Sequence, residues 1–227
     1  MYPAAASALA IMAMASVAFA QMNYWQSSAA LWTHALEVTG PNFVAEDNMG
    51  AELINQGNIP AARAHFQRAT EINPEDAFSQ IDIGVCDKKM GNLPGAIGHY
   101  QAALQLSAAP SLRSTAYSNL GSLYRLSKNY AAARDNYMAS LRIDPDNAMA
   151  LLGLGLVTQK TGNLTDAIAD YSRAMAVGPS DVGYVLLARA LEAAGRTPES
   201  AMALEQAKKM ALNFDMAQKE ATRLLAE

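Results

Sequence analysis

The sequence of 227 residues contains little cysteine, little basic charge and few aromatic side chains. Its only cysteine, Cys86, excludes an internal disulfide framework and any metal site built from several cysteines. The formal net charge of −4 offers no electrostatic basis for binding phosphate backbones, so we expect no nucleic-acid partner. Aromatic residues make up only 7% of the chain, whereas hydrophobic residues, many of them alanine, make up 51%. This composition favours close-packed helices over β-sheet.

The start of the chain lacks charge: residues 4–20 read AAASALAIMAMASVAFA. This run is close to the ~20 apolar residues that span a bilayer, and Tyr24 and Trp25 follow where interfacial aromatics belong. The small-x-small sequence at residues 18–20 fits a signal-peptide cleavage site, although the positive region that precedes such signals is absent. A plain buried helix is the third interpretation. We expect residues 1–22 to be a membrane helix or a signal peptide, and the protein to be membrane-anchored or exported, on the periplasmic or another extracytoplasmic side.

One sequence motif recurs along the chain: GNIPAARAHF begins at Gly57, GNLPGAIGHY at Gly91 and GNLTDAIADY at Gly162. The step from 57 to 91 is 34 residues, and the step from 91 to 162 is twice 34 plus three. The repeating units therefore run 43–76, 77–110, 114–147, 148–181 and 181–212. The three added residues, 111–113, lie between the second and third units. We expect them to lengthen the turn there and to make a local irregularity.

Equivalent positions of the units carry equivalent residues. A small residue at the eighth position would let two antiparallel helices cross closely, and we expect Gly50 to cross Ala62 in this way. An aromatic residue at the twenty-fourth position would fill the wedge toward the next helix pair. Glycine in each turn indicates a positive φ, and Asp76, Asn147 and Asp181 stand where the next helix needs an N-cap. The recurring residues are, by position, Gly50, Gly84, Gly121, Gly155 and Ala188; Ala62, Ala96, Ala133, Ala167 and Ser200; and Phe66, Tyr100, Tyr137, Tyr171 and Leu204.

The pattern of an early small residue, a turn glycine, Ala-x3-Phe/Tyr and a closing proline resembles the tetratricopeptide repeat, over residues 43 to about 210. The resemblance implies an all-α fold, an α-solenoid of antiparallel helix pairs with about five units. Residues 23–42 then form a degenerate N-terminal half-repeat. Residues 213–227 form an amphipathic capping helix that covers the last apolar face, with Asp215 and Gln218 capping its start.

No motif in the sequence predicts catalysis, a cofactor or a metal site, and we therefore do not expect an enzyme. His65 and His99 hold the same position in neighbouring units, where stacked helices would keep them about 8–10 Å apart, too far to share a metal ion. The stretch GLGLVTQKTG lacks the glycine that a phosphate-binding loop needs before Lys160.

The resemblance further implies a concave groove lined by the first helix of each unit. An amphipathic helix or an apolar peptide is the partner that such a groove accepts. The alternative is that the same residues pack between neighbouring helices. The expected partner-binding residues are Val44, Asp47, Asn48, Ala51, Phe78, Ile81, Asp82, Val85, Lys88, Ser118, Asn119, Arg125, Met149, Leu152 and Leu156.

Three functions are consistent with these features. The first is a non-catalytic scaffold, membrane-anchored or exported, that binds a protein or peptide partner of unknown identity. The second follows from residues 23–50, which resemble the junction after the last membrane helix of polytopic glycosyltransferases with C-terminal tetratricopeptide repeats; the chain would then be the repeat region that presents acceptor proteins. The third, a cytosolic co-chaperone, is disfavoured because Asp47, Ala51 and Thr115 replace residues of its carboxylate clamp.

Overall fold

A computed structural model of the chain describes residues 12, 14, 15 and 27–227. Residues 27–227 form twelve helices and contain no strand, which confirms the all-α prediction. The helices are α1 Ser28–Thr39, α2 Phe43–Asn55, α3 Ile59–Ile72, α4 Ala77–Lys89, α5 Leu93–Leu106, α6 Pro110–Leu126, α7 Tyr130–Ile143, α8 Ala148–Lys160, α9 Leu164–Val177, α10 Asp181–Ala193, α11 Thr197–Met210 and α12 Phe214–Ala226.

The apolar run at residues 4–20 lies outside the described residues except at 12, 14 and 15, which are helical. The membrane-helix and signal-peptide interpretations of residues 1–22 therefore concern a part of the chain that the structure does not describe. Among the helices that it does describe, none has both the length and the apolar character needed to cross a bilayer.

The chain divides into two compact units, Met1–Ala96 and Ile97–Glu227, with the division inside α5. In the first unit, α1 packs on α2, α2 pairs with α3, and α3 packs on α4. In the second unit, α6 pairs with α7, α8 with α9 and α10 with α11, and consecutive pairs pack on each other. The last helix, α12, lies on α10 and also touches α8. Each unit is therefore built from helix pairs that contact their neighbours in chain order.

At the eighth position, an aromatic ring occupies the space beside Gly50, Gly121 and Gly155. A methyl group on Gly50 would lie 2.7 Å from the ring of Phe66, and one on Gly121 would lie 2.7 Å from the ring of Tyr137. The expected crossing of Gly50 with Ala62 is thus not the tightest contact, although Ala62 is fully buried. Glycine is required at this position because a large ring of the second helix lies flat against the first.

Tyr137 also shows how one helix pair is joined to the next. Its ring covers Gly121 on α6, and its outer edge and hydroxyl reach Gly153 on α8. The ring is 2% exposed, so nearly all of its surface contributes to the free energy of packing. The prediction that the aromatic residue fills the wedge between helix pairs is confirmed at this position.

The turns inside the pairs follow the sequence prediction closely. Gly57, Gly91, Gly162 and Gly195 have φ values of 78°, 80°, 89° and 74°, the left-handed conformation that glycine adopts without steric cost. The third unit has no glycine there, and Lys128 takes the same conformation with a φ of 58°. The backbone geometry of the turn is therefore kept even where its preferred residue is missing.

Side-chain oxygens cap most of the helices, and some of the predicted caps are wrong by one or two residues. Asp76 and Asn147 accept backbone N–H groups at the starts of α4 and α8, as predicted. Ser180, not Asp181, caps α10 by accepting the N–H of Gly183, because Asp181 is already the first helical residue. Asn213 caps α12, not Asp215 or Gln218.

The three added residues lengthen a helix and not a turn, so the expectation of a longer turn at 111–113 is wrong. Helix α6 begins at Pro110 and has 17 residues, whereas α8 has 13. Arg113 in the added turn donates from Nη1 to the carbonyl of Leu104 at 3.0 Å, and its guanidinium lies 5.9 Å from the ring centre of Tyr117. Proline at the first helical position needs no N–H partner, which favours starting the helix there.

Candidate partner-binding surfaces

The first helices of the repeats carry all fifteen of the expected partner-binding residues. We call the surface formed by α2 and α4 the first-helix face of the first unit, and that formed by α6, α8 and α10 the first-helix face of the second unit. On the former, Val44 is 47% exposed and Phe78 is 52% exposed, and both hold the second position of their helices. The remaining expected residues are exposed (Ala51), half-buried (Asp47, Asn48, Asp82, Val85, Lys88) or buried (Ile81).

Acidic side chains lie beside these exposed apolar residues in the first unit. Asp47 on α2 accepts a hydrogen bond from Ser79 Oγ on α4 at 2.6 Å, and Ser79 is also 2.8 Å from Asp76. Burial, together with the nearby carboxylates of Asp76 and Asp82, raises the pKa of Asp47 to about 7. Burial likewise raises the pKa of Asp82 to about 6. The face therefore favours a partner that places a basic group near these carboxyls, since a cation would stabilise their charged form.

The amides of the asparagine side chains are not presented for a peptide backbone. Asn48 Nδ2 donates to the carbonyl of Val44 on its own helix at 2.7 Å. Asn119, at the equivalent position of α6, is only 6% exposed. These faces therefore do not present a row of asparagine amides.

The first-helix face of the second unit is more covered. Met149 is 60% exposed and Leu152 is half-buried, whereas Leu156 is only 6% exposed. The three expected residues on α6 are buried: Ser118, Asn119 and Arg125, at 1%, 6% and 5% exposure. A buried arginine at the end of a helix requires an explanation, because its charge is costly to remove from water without partners.

Helix α12 provides that explanation, because it lies on this face and supplies the partners of Arg125. Nη1 of Arg125 donates to the carbonyl of Leu224 at 3.2 Å, and Nη2 donates to Oε2 of Glu227 at 2.8 Å. On the apolar side of α12, Ala217 and Ala221 are buried in one cluster with Leu156. Part of the groove predicted from the first helices is therefore occupied by the chain itself.

Two further cations hold α12, and sequence reasoning did not select either. Lys160, at the end of α8, donates from Nζ to the carbonyl of Leu225 at 2.9 Å. Arg189 on α10 donates from Nη2 to the carbonyl of Gln218 at 3.1 Å and to Oγ1 of Thr222 at 2.8 Å. Arg189 belongs to no repeated pattern, and although Lys160 recurs as Lys89 in the second unit, nothing in the repeat indicates that it contacts α12.

Titratable side chains of the first unit are engaged in contacts between helices. In the part of the chain that the structure describes, no three His, Cys, Asp or Glu side chains are close enough to hold a metal ion. His65 Nδ1 lies 2.7 Å from Glu46 Oε2, and Arg68 Nε donates to the same carboxylate at 3.1 Å. These contacts link α2 to α3 and account for the polar face of His65. Cys86 is fully buried and free.

Comparison with known proteins supports the repeat assignment directly. Two sequence profiles described as tetratricopeptide repeat match the chain, one at residues 75–146 and the other at residues 122–182 and 152–211. Cellulose synthase 1 operon protein C of Komagataeibacter xylinus is 28% identical over 197 residues, which are 81% of this chain and 15% of that protein. The chain thus spans a small part of the length of this relative.

Solved structures show the same fold at low sequence identity. The APC/C hetero-tetramer Cut9-Hcn1 aligns with a TM-score of 0.74 and 17% identity, over 86% of this chain and 38% of that one. YrrB, described as a TPR protein with an unusual peptide-binding site, aligns with a TM-score of 0.56 and 14% identity, over 86% of this chain and 99% of that one. With the profiles, the helix pairs and the turn glycines in agreement, the chain belongs to the tetratricopeptide repeat family.

Proposed function

We propose that this chain is a non-catalytic scaffold that binds an apolar peptide or helix of a partner protein on the first-helix faces of its repeats. Tetratricopeptide repeats are protein-interaction modules, and the family membership supports a scaffold. We further propose that it acts membrane-anchored or exported. The support for that part is the uncharged run at residues 4–20.

One observation carries the binding proposal: Val44 and Phe78 are large apolar side chains that stay about half exposed on neighbouring first helices. The bond from Ser79 to Asp47 joins those helices, so the two side chains belong to one surface. Exposed apolar residues that form a patch commonly mark a protein-binding site. The carboxyls of Asp47 and Asp82 beside them favour a partner segment in which a Lys or Arg accompanies the apolar residues.

The test is a pair of charge substitutions at the exposed positions. We expect Val44→Glu with Phe78→Glu to abolish recovery of partners in quantitative affinity purification while leaving the circular dichroism unchanged. Ile81 and Leu156 are unsuitable targets because a charge at either buried position would unfold the repeat.

The matched control places two charges on second helices, at Met138→Glu and Met202→Glu, whose parent side chains are 43% and 70% exposed. This variant should keep its partners, since it adds the same charge away from the first-helix faces. Equal recovery with both double variants would show that the first-helix face of the first unit does not bind the partner.

A second candidate function is the acceptor-presenting repeat region of a polytopic membrane glycosyltransferase. The likeness to cellulose synthase 1 operon protein C favours a connection with polysaccharide synthesis. Immunoblots of soluble and membrane fractions of native cells separate the alternatives. A membrane band near 24.2 kDa supports an anchored scaffold, and a soluble band slightly below it supports an exported one. A much larger membrane polypeptide supports the enzyme, and a soluble band at full mass in the cytoplasm contradicts both locations.

A further inference from the structure

The first-helix face of the second unit, on which α12 packs, has the properties of a helix-binding site. Arg125 and Lys160 stand at the ends of α6 and α8 and bind the carbonyls of Leu224 and Leu225. These carbonyls belong to the last turn of α12, where helix carbonyls have no partner within the helix. Cations placed at a helix C-terminus also interact favourably with its dipole. The site therefore recognises the carboxyl end of a helix and its direction.

Apolar contacts complete the recognition. Ala217 and Ala221, one turn apart, are 3% and 0% exposed and allow the helix to approach closely. Phe214, Leu224 and Leu225 pack at the edges of the same cluster. These five residues are spaced so that they lie on one face of the helix. A helix-binding groove recognises its ligand through such a face.

The resident helix leaves part of the site unsatisfied. The side chain of Arg125 is only 7% exposed, and Glu227 contacts it through Nη2 alone. Nε of Arg125 is buried and donates to no acceptor among the described residues. A carboxylate placed to accept from both Nε and Nη2 would make the stronger bidentate pair. A partner helix with such an acid has a contact available that α12 does not make.

We propose that the first-helix face of the second unit is a receptor for an amphipathic helix with an acidic residue at its carboxyl end, and that α12 occupies it until a partner helix of this chemistry displaces it. The inference rests on the proposed function, because it makes this face a partner-binding surface. Because α12 is tethered to the surface that it covers, its effective concentration there is about millimolar. A competing helix binds only molecules from which α12 has dissociated, so its apparent affinity falls in proportion to the fraction of such molecules.

The experiment measures binding of a fluorescent peptide with the sequence of residues 211–227 to the full chain. The wild-type chain should bind the peptide weakly. Leu224→Glu with Leu225→Glu should displace α12 from the first-helix face of the second unit and tighten peptide binding at least tenfold. We call this double variant the unseated chain. Leu212→Glu with Met216→Glu, which adds the same charge at exposed positions away from the carboxyl end of α12, should leave the affinity at the wild-type value. Circular dichroism confirms that the chains remain folded.

A milder variant covers the case in which two new glutamates unfold the second unit. Glu227→Ala removes the ion pair that joins α12 to Arg125, as well as the pair with Arg223 inside α12, and should tighten peptide binding about threefold. On the receptor side, Arg125→Ala in the unseated chain should weaken binding at least tenfold, whereas Arg134→Ala, at an exposed position of α7, should not. A peptide with Gln at the position of Glu227 should also bind more weakly.

Failure of the unseated chain to bind the peptide, or equal binding with and without Arg125, would overturn the inference. If the protein forms a reversible dimer that Leu224→Glu dissociates, the surface binds α12 of a second copy. That result would also overturn the inference. Because the probe is the chain's own helix, these results do not depend on partner recovery at Val44 and Phe78. Peptide binding without any effect of those two residues on partner recovery would remove the first-helix face of the first unit from the proposed function and leave this site standing.

Discussion

Replacing Gly153 with alanine tests the idea that one aromatic ring joins consecutive helix pairs. A methyl group at this position would lie 2.5 Å from Cε1 and 2.6 Å from the hydroxyl oxygen of Tyr137. The ring cannot move away freely, because it also lies against Gly121. Alanine in a helix is favoured over glycine by about 1 kcal/mol, but overpacking a filled core costs about 1–3 kcal/mol. We expect Gly153→Ala to lower the free energy of unfolding by up to about 2 kcal/mol.

Gly98→Ala is the matched control, because this helical glycine is exposed and a methyl group there would meet nothing within 4 Å. It should gain about 0.5–1 kcal/mol from helix propensity alone. Thermal unfolding followed by circular dichroism should therefore shift in opposite directions for the two variants. In a double-mutant cycle, Tyr137→Leu should remove most of the destabilisation that Gly153→Ala causes. Equal shifts of the unfolding temperature for Gly153→Ala and Gly98→Ala would refute the idea that the ring of Tyr137 joins consecutive helix pairs.

Three further predictions concern single side chains. Lys128→Gly should raise the unfolding free energy by about 0.5–1 kcal/mol in urea titrations, because Lys128 has a φ of 58°. Asp47 has a folded-state pKa of about 7, above its ordinary 3.8, so its protonated form stabilises the fold below about pH 4 and this contribution is lost as the pH rises toward 7. The stability advantage of Asp47→Asn, measured by urea midpoints, should thus grow over that range and level off above it. Arg63→Met should cost about 2–4 kcal/mol in the same assay, because Arg63 pairs at 2.7 Å with Asp87, whose side chain is 1% exposed; Asp87→Asn should recover part of the loss.

Residues that recur in register predicted most of the backbone. Turn glycines such as Gly57 and Gly162 appear in four of the five units because a positive φ is required there, so each copy supports the others. The contact made by a small residue was harder to predict. Gly50 was paired with Ala62 although the ring of Phe66 covers it, since periodicity identifies equivalent positions but not which side chain reaches across.

Local patterns also failed where one signal had two structural solutions. Three residues added between units lengthen either a turn or a helix, and the proline at position 110 was the evidence for a helix start. Likewise, Ser180 and Asp181 are both good N-caps, and it is Ser180, with φ −144° and ψ 150°, that has the extended backbone of a cap. Which of two adjacent residues is the N-cap therefore depends on where the preceding chain departs from the packed helix pair.

The amphipathic spacing of α12 predicted a helix that buries one face, but not which surface receives it. The receiving side chains are Arg125, Lys160 and Arg189, and the first lies 99 residues before the carbonyl that it binds. The position of Arg189 carries different residue types in other units: Ala51 in the first and Leu156 in the fourth. Lys160 recurs as Lys89 in the second unit, but Arg125 corresponds to Ile54 in the first unit and Gln159 in the fourth. Residues shared by all units build the helix pairs and contact only their neighbours. Binding specificity must therefore come from the positions that differ, and in the second unit those positions already hold a helix by its carboxyl end.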